Sequence, residues 1–294
     1  MIREFAPAKI NLYLHITGRR ADGYHLLDSL AAFAGVGDEI RLEPAPRFDF
    51  IIDGPQAAAL KNEPVEDNLA VRAVRALAGR TGQAPDLRLT LIKNLPVASG
   101  IGGGSSDAAA TLRVLGLHWA LDPDDPVIAS IAWACGQDVL VCLKPESCYM
   151  TAEGTDSAPE LPHTDIVLVN PGKTLPTADV YKTFKDDGGI FSSEARLDGP
   201  PKDAGQLAGM LKARQNDLFK PALRLMPVIG EVLGALEKSA QCMLARMSGS
   251  GATCFGLYPD RGSARQTAAS ILEAHPSWWV IQTHIPRRGD RRRF

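Results

Sequence analysis

No apolar run in these 294 residues approaches the roughly 20 needed to cross a bilayer, so no membrane-spanning helix is expected. The opening stretch MIREFAPAKINLYLHI has no signal-peptide layout, because Lys9 and Asn11 interrupt its apolar run, and a cytoplasmic location is expected. Charge of one sign is also lacking. Thirty-two Lys+Arg against 34 Asp+Glu leave a formal net charge of -2, which gives no bulk attraction to nucleic acid or to a membrane surface. The Arg-rich end PRRGDRRRF reads as a solvated terminus rather than an RNA contact. No CxxC occurs among the cysteines Cys135, Cys142, Cys148, Cys242 and Cys254, whose odd number suits reduced, buried thiols better than disulfides or a zinc site. The histidines form no HxH or HxxxH pair, so no protein-held transition metal is expected.

What is present is ordinary for a soluble globular chain: 45% hydrophobic and 22% charged residues, enough for one large domain or two smaller ones. KINLYLHI alternates, with Ile10, Leu12, Leu14 and Ile16 on one face and Lys9, Asn11, Tyr13 and His15 on the other. That pattern predicts a strand with one buried and one polar face. DEIRLEP and RFDFIID read as further strands. In EDNLAVRAVRALAGRTG, Leu69, Val71, Ala73, Val74 and Leu77 fit a helical stripe, with Asp67 or Asn68 at the cap and Gly79 or Gly82 at the end. DLRLTLIKNLP alternates through Leu87, Leu89 and Leu91, and SSDAAATLRVLGLHWAL and DDPVIASIAWACG read as helices. DVLVCL and SCYMTAEG read as strands. A Gly/Pro-rich seam at 151–164 precedes a second half. It holds a strand in DIVLVNPG, helices around 178–184, 206–211 and 223–238, and a strand–tight turn–strand in CMLARMSGSGATCFGLY. A helix in SARQTAASILEA and a strand in WWVIQTHI close it. The polar segment 185–204 is expected to be a long surface loop. Strands and helices mixed without a strict βα repeat argue an α+β fold.

The stretch PVASGIGGGSSDAAA sits between a predicted strand and a predicted helix. Such a junction offers bare backbone N–H groups and the positive end of a helix dipole, which together suit an anion. No lysine follows the glycines, so the GxxxxGK[ST] phosphate loop does not fit, and the third glycine of GxGxxG is out of register. A phosphate loop neutralised from elsewhere in the chain fits best, ahead of a merely flexible turn.

Three blocks, FAPAKINLYLHITGRRADGYH, LPVASGIGGGSSDAAATL and RMSGSGATCFGLY, resemble motifs of the GHMP kinase superfamily, which includes galactokinase, homoserine kinase and mevalonate kinase. With GQDVLVCL they span Ala6 to Tyr258, nearly the whole chain. RADGYH is similar to the branch that phosphorylates a cytidine-diphosphate-linked methylerythritol in the non-mevalonate isoprenoid route. The resemblance implies a two-domain fold, a ribosomal-protein-S5-like ATP-binding domain over 1–158 and a ferredoxin-like domain over 159–294. It also implies ATP with Mg²⁺, a small-molecule acceptor, no nucleic acid or membrane partner, and a monomer or weak homodimer.

Residue by residue, the resemblance places Lys9 and Asp138 at the acceptor hydroxyl. The carboxylate would take the proton, and the ammonium would stabilise developing negative charge. Read without it, Lys9 is a solvated strand lysine and Asp138 caps the start of a strand. Pro96, Val97, Ala98, Ser99, Gly100, Ile101, Gly102, Gly103, Gly104, Ser105 and Ser106 would wrap the ATP phosphates, with Asn68 and Lys93 towards the adenine. Tyr24 and Tyr181 would sandwich the cytosine and His25 would bond its edge; core packing is the competing reading of Tyr181. Asn11 and Thr177 would line the same site, and Gly249, Ser250 and Gly251 would close it, where residues alone read only a hairpin turn. Asp107 reads as a first-turn acid that favours the helix dipole. The sequence departs from the usual pattern at Ala98 and Ser99, which replace glycines. It departs again at Gln137 and Leu140, where the family commonly has a small residue before the aspartate and a proline two after it. A homoserine- or mevalonate-type kinase and a non-catalytic binding relative are the alternatives; RADGYH argues against the first and the Lys9, Asp138 pair against the second.

Overall fold

A computed structural model describes residues 1–21, 23–151 and 154–287. The Arg-rich end from residue 288 lies outside the described residues. Within them Arg287 pairs with Glu160 at 2.8 Å.

Two long antiparallel strands, β1 (Ile2–Arg19) and β2 (His25–Pro44), organise the first sheet. The far half of β2 pairs with β4 (Leu87–Ile92), which pairs in parallel with β3 (Asp49–Asp53). The near half of β2 pairs with β5 (Cys148–Thr151), which pairs with β6 (Gly154–Ser157). A second, antiparallel sheet has the order β10-β7-β9-β8, from β7 (Thr164–Asn170), β8 (Leu244–Met247), β9 (Cys254–Tyr258) and β10 (Trp279–Ile285). Segregated helices and mixed sheets make the fold α+β.

Four helices cover the first sheet. In α1 (Leu69–Thr81) the Asn68 side chain caps Ala70 N–H, one face buries Val71, Val74 and Leu77, and Gly82 ends the helix at φ 71°. The helix α2 (Gly103–His118) buries Ala108, Ala109 and Ala110 in succession, so more than one of its faces is covered. Asp125 caps α3 (Pro126–Cys135), with proline in the first turn where no N–H is missed. The run DVLVCL, expected as a strand, is the helix α4 (Gln137–Leu143). A short apolar run cannot distinguish a buried strand from a buried helix. Here Gly136, at φ 145°, breaks α3 and starts a new helical turn.

The second sheet carries α5 (Thr177–Asp186), α6 (Ala204–Lys212), α7 (Phe219–Leu225), α8 (Val228–Glu237) and α9 (Arg261–Ala274). The single helix expected over 223–238 is two, because Pro227 cannot continue a helix arriving from Leu225. Residues 187–203 form the expected long loop.

The polar face of β1 is not solvated. Lys9 is 3%, Asn11 2% and His15 6% exposed, because Asp138 and Met150 lie against Lys9, Ser29 and Met150 against Asn11, and Ser193 and Gln215 against His15. The N–H groups of β1 leave the ladder in turn. Lys9 N bonds Ile101 O at 2.9 Å, Asn11 N bonds Ser248 Oγ at 3.1 Å, and Leu14 N bonds Gln215 O at 3.0 Å. Register shifts between Pro7 and Lys9 and between Asn11 and Tyr13 free these groups. The strand thus joins the glycine loop on one side to the second half of the chain on the other.

Candidate active site

The glycine loop is fixed by its backbone. Gly100 O accepts from Ser248 Oγ at 2.9 Å, Ser99 O accepts from Thr253 N at 3.0 Å, and Ala98 O accepts from Leu175 N at 3.3 Å. Gly100 has φ 75°, and a Cβ there would lie 2.5 Å from Ser248 O and 2.6 Å from Gly251 N. A Cβ on Gly249, at φ 53°, would meet Gly100 O at 2.7 Å. The two glycine turns therefore pack main chain against main chain, which a side chain would forbid. Asn216 braces the second turn, donating through Nδ2 to Met247 O and Gly249 O, each at 2.8 Å.

The helix α2 starts at Gly103, two residues before the serines. Gly102 is its N-cap, in the left-handed region at φ 63° and without a side-chain cap. The opening N–H groups of α2 have no intrahelical acceptor and the cap supplies none, which leaves them for an anion. Ser106 Oγ, in the same turn, is fully buried and has no hydrogen-bond partner.

A cleft of about 360 Å³ lies against this loop. Pro96 to Gly100, Gly102 to Ser105, Asn68, Lys93 and Asp107 line one part of it; Lys9, Asn11, Asp138, Thr177, Tyr181, Gly249 and Ser250 line the other. Ile101, Ser106 and Gly251 are buried outside its lining.

Lys9 Nζ donates to Asp138 Oδ1 at 2.6 Å. Asp138 stands in the first turn of α4 rather than at a strand start. Met150 floors the pair: its sulfur lies 3.8 Å from Lys9 Nζ and 3.5 Å from Asn11 Nδ2. Asn11 is further held by Ser29 Oγ at 2.8 Å. Across the cleft, Thr177 Oγ1 and Ser250 Oγ are 2.9 Å apart, tying α5 to the second glycine turn.

Tyr24 and His25 do not line the cleft itself. Tyr24 stands half-exposed at the β1–β2 hairpin, its hydroxyl donating to Gln137 Oε1 at 2.6 Å. The His25 ring lies 5.0 Å from that of Tyr181, tilted by 31°, and meets Phe184 edge-on at 5.9 Å. Burial, Arg19 and Lys185 all lower the His25 pKa, which leaves a neutral imidazole at neutral pH. Burial and then the Asp138 carboxylate raise the pKa of both Tyr24 and Tyr181, so both hydroxyls stay protonated and able to donate.

Lys93 is not a free cation. It is buried, with Nζ 2.5 Å from Asp38 Oδ2 and 2.8 Å from Asp107 Oδ2, directly beneath Gly103. Burial pulls its pKa down, and the two carboxylates outweigh that and leave it raised. Asp107 is thus a buried hydrogen-bond partner of Lys93, not an exposed acid at the helix dipole. Burial lifts its pKa to about 8, with Lys93 drawing it down and Asp38 pushing it up. Asp38 also accepts from Asn94 N at 2.5 Å and Leu95 N at 2.8 Å, which anchors the approach to the loop. Nothing in the motifs pointed to Asp38, Met150 or Asn216, and Ser248, inside RMSGSGATCFGLY, was not singled out. Each acts through a long-range contact with no local sequence pattern.

A glycine loop, an exposed carboxylate and a buried lysine in one cleft suit phosphoryl transfer. The comparisons with known proteins agree. The GHMP kinases N terminal domain family matches residues 68–144 and the GHMP kinases C terminal family matches residues 195–277. A curated 4-diphosphocytidyl-2-C-methyl-D-erythritol kinase of Paramagnetospirillum magneticum is 47% identical, over 95% of this chain and 97% of that protein. The chain belongs to the 4-diphosphocytidyl-2-C-methyl-D-erythritol kinase family of the GHMP kinases. The same-named enzyme of Rhodospirillum rubrum is 49% identical, over 94% of this chain and 90% of that one. A crystal structure of 4-(cytidine 5'-diphospho)-2C-methyl-D-erythritol kinase superposes with a TM-score of 0.77 at 30% identity, covering 97% of this chain and 100% of the other. As a GHMP kinase this chain uses ATP. Among the described residues, no helix is long and apolar enough to cross a membrane.

Proposed function

We propose that this kinase transfers the γ-phosphoryl group of ATP to the 2-hydroxyl of 4-diphosphocytidyl-2-C-methyl-D-erythritol. The observation that carries the reading is the Lys9–Asp138 contact at 2.6 Å, facing the same cleft as the glycine loop. The hydroxyl oxygen attacks the γ-phosphorus, its proton passes to an Asp138 carboxylate oxygen, and the bond to the β-phosphate oxygen breaks to release ADP. Lys9 steadies Asp138 and offsets charge that develops on the transferred group.

The opening N–H groups of α2 and the bare loop backbone take the ATP phosphates. Asn68 faces the same part of the cleft, on the adenine side. Lys93 supports the loop from below. Mg²⁺ bound to ATP would neutralise phosphate charge, and the donors present fit it: Ser105 lines the cleft and Ser106 Oγ has an unmet hydrogen-bonding capacity beside it. Tyr24 and Tyr181 form the walls for the cytosine and His25 supplies a neutral donor or acceptor to its edge. Asn11, Thr177 and Ser250 line the passage between base and acceptor, with Gly249 and Gly251 shaping the turn. The same reading divides the chain into an ATP-binding unit over 1–158 and a C-terminal unit over 159–294, supported by two sheets that share no strand.

A coupled ADP-release assay against the cytidylyl methylerythritol, mevalonate, homoserine and galactose tests the proposal. Turnover of the first alone is expected; turnover of homoserine alone would sink it.

A further inference from the structure

No step of the reaction above uses Gln137. Its carboxamide spans two elements. Nε2 donates to the carbonyl of Thr151 at the end of β5, and Oε1 accepts the Tyr24 hydroxyl at 2.6 Å. The two bonds fix one another. A backbone carbonyl can only accept, so the amide nitrogen must face Thr151, which leaves the oxygen for the phenol. Turning the amide over would set oxygen against oxygen at Thr151. Raised above its usual range by burial, the Tyr24 pKa keeps the phenol a donor.

Tyr24 needs such a tether. The ring stands at the tip of the β1–β2 hairpin, 44% exposed, with the Arg20 guanidinium 5.9 Å from its centroid, and the hydroxyl bond to Gln137 ties its far end to α4. The tip itself is closed by Arg20 N to Tyr24 O at 2.8 Å and Gly23 N to Arg20 O at 2.9 Å, which fixes the backbone but not the ring. Gln137 sits at the start of α4, one residue before Asp138, on the helix that aims that carboxylate into the cleft.

We propose that Gln137 is a positioning residue that holds the Tyr24 ring upright beside the acceptor site, so that the pyrimidine of the substrate meets a wall already in place. The inference rests on the reading above that Tyr24 contacts the base. Ordering the ring before binding removes an entropic cost that each binding event would otherwise carry, and the benefit falls on substrate affinity rather than on the chemical step. ATP, on the glycine-loop side of the cleft, is indifferent to it. A glutamate at 137 does not substitute, because a carboxylate accepts from Tyr24 but faces the Thr151 carbonyl with a second acceptor.

The test is a double-mutant cycle in the full-length enzyme with KM and kcat measured for both substrates, alongside thermal unfolding. Gln137→Ala and Tyr24→Phe are each expected to raise KM for the cytidylyl substrate about fivefold, the size of one net hydrogen bond. The double variant is expected to be no worse than either single one. KM for ATP should stay within about twofold in all three, and Gln137→Glu should behave like Gln137→Ala. Additive losses, or a fall in kcat with KM unchanged, would overturn the proposal and assign Gln137 to Asp138 instead. Tyr24→Ala separates the two readings. A large KM rise in Tyr24→Ala with none in Gln137→Ala or Tyr24→Phe refutes only the tether, whereas no rise in Tyr24→Ala refutes the base wall itself. If Gln137→Ala does not fold, Tyr24→Phe, which removes one oxygen from an exposed ring, decides the matter alone.

Discussion

Lys9 Nζ lies 2.6 Å from Asp138 Oδ1, yet the lysine side chain is 3% exposed and the aspartate 43%. The asymmetry suits the proposed proton transfer. The carboxylate must reach a ligand, whereas the ammonium need only stand behind it. The Lys9 N–H bonds Ile101 O, so one residue of β1 touches both the glycine loop and Asp138. Lys9→Met, which keeps the length and apolar stem, is expected to lower kcat by about 10²-fold or more, as loss of a preorganised charge does. KM for ATP should change little; a tenfold rise in it would place Lys9 on the nucleotide instead.

Gly100→Ala tests the contact between the two glycine turns. The new methyl would stand 2.5 Å from Ser248 O on a residue at φ 75°, so the turns must separate. A left-handed non-glycine residue costs on the order of 1–3 kcal/mol before the clash is counted. Thermal unfolding should fall by several degrees and KM for ATP should rise. Gly79→Ala, in an exposed helix where no atom lies within 4 Å of the new Cβ, is the control and should be neutral or mildly stabilising.

Asp107 gives a pH signature. Its folded-state pKa, about 8, is above the unfolded value, so the folded protein binds the extra proton between about pH 4 and 8. The stabilising contribution of that proton is complete below pH 4 and is lost as pH rises through 8. The slope from one such group is at most about 1.4 kcal/mol per pH unit. Urea unfolding from pH 5 to pH 8.5 should therefore show a flatter decline in Asp107→Asn than in the parent. Parallel declines in the two proteins would show that Asp107 does not hold the proton.

Most of the fold was legible because its elements carry local signals: the Asn68 cap and Gly82 end of α1, the alternation of β4, the alanines of α2. Lys9, Asp138 and the glycine loop were legible through motif resemblance, and the structure brings all of them but Ile101 and Ser106 to one cleft. Burial of the polar face of β1 was not legible, because residues that pack against it, Asp138, Met150 and Gln215, are remote in sequence. The strand reading of 138–143 failed because six apolar-rich residues have no decisive period. Lys93 was expected towards the adenine. Only the tertiary fold shows Asp38, 55 residues away, taking up its charge.

The central claim is that Asp138 accepts the proton of the acceptor hydroxyl, and Asp138→Asn tests it most directly, since the amide keeps the shape and loses the basicity. Single-turnover phosphorylation of the cytidylyl methylerythritol should slow by about 10²–10⁴-fold, the usual contribution of a positioned base, while ATP binds within about threefold of the parent affinity. A variant that transfers phosphate within tenfold of the parent rate would contradict the account.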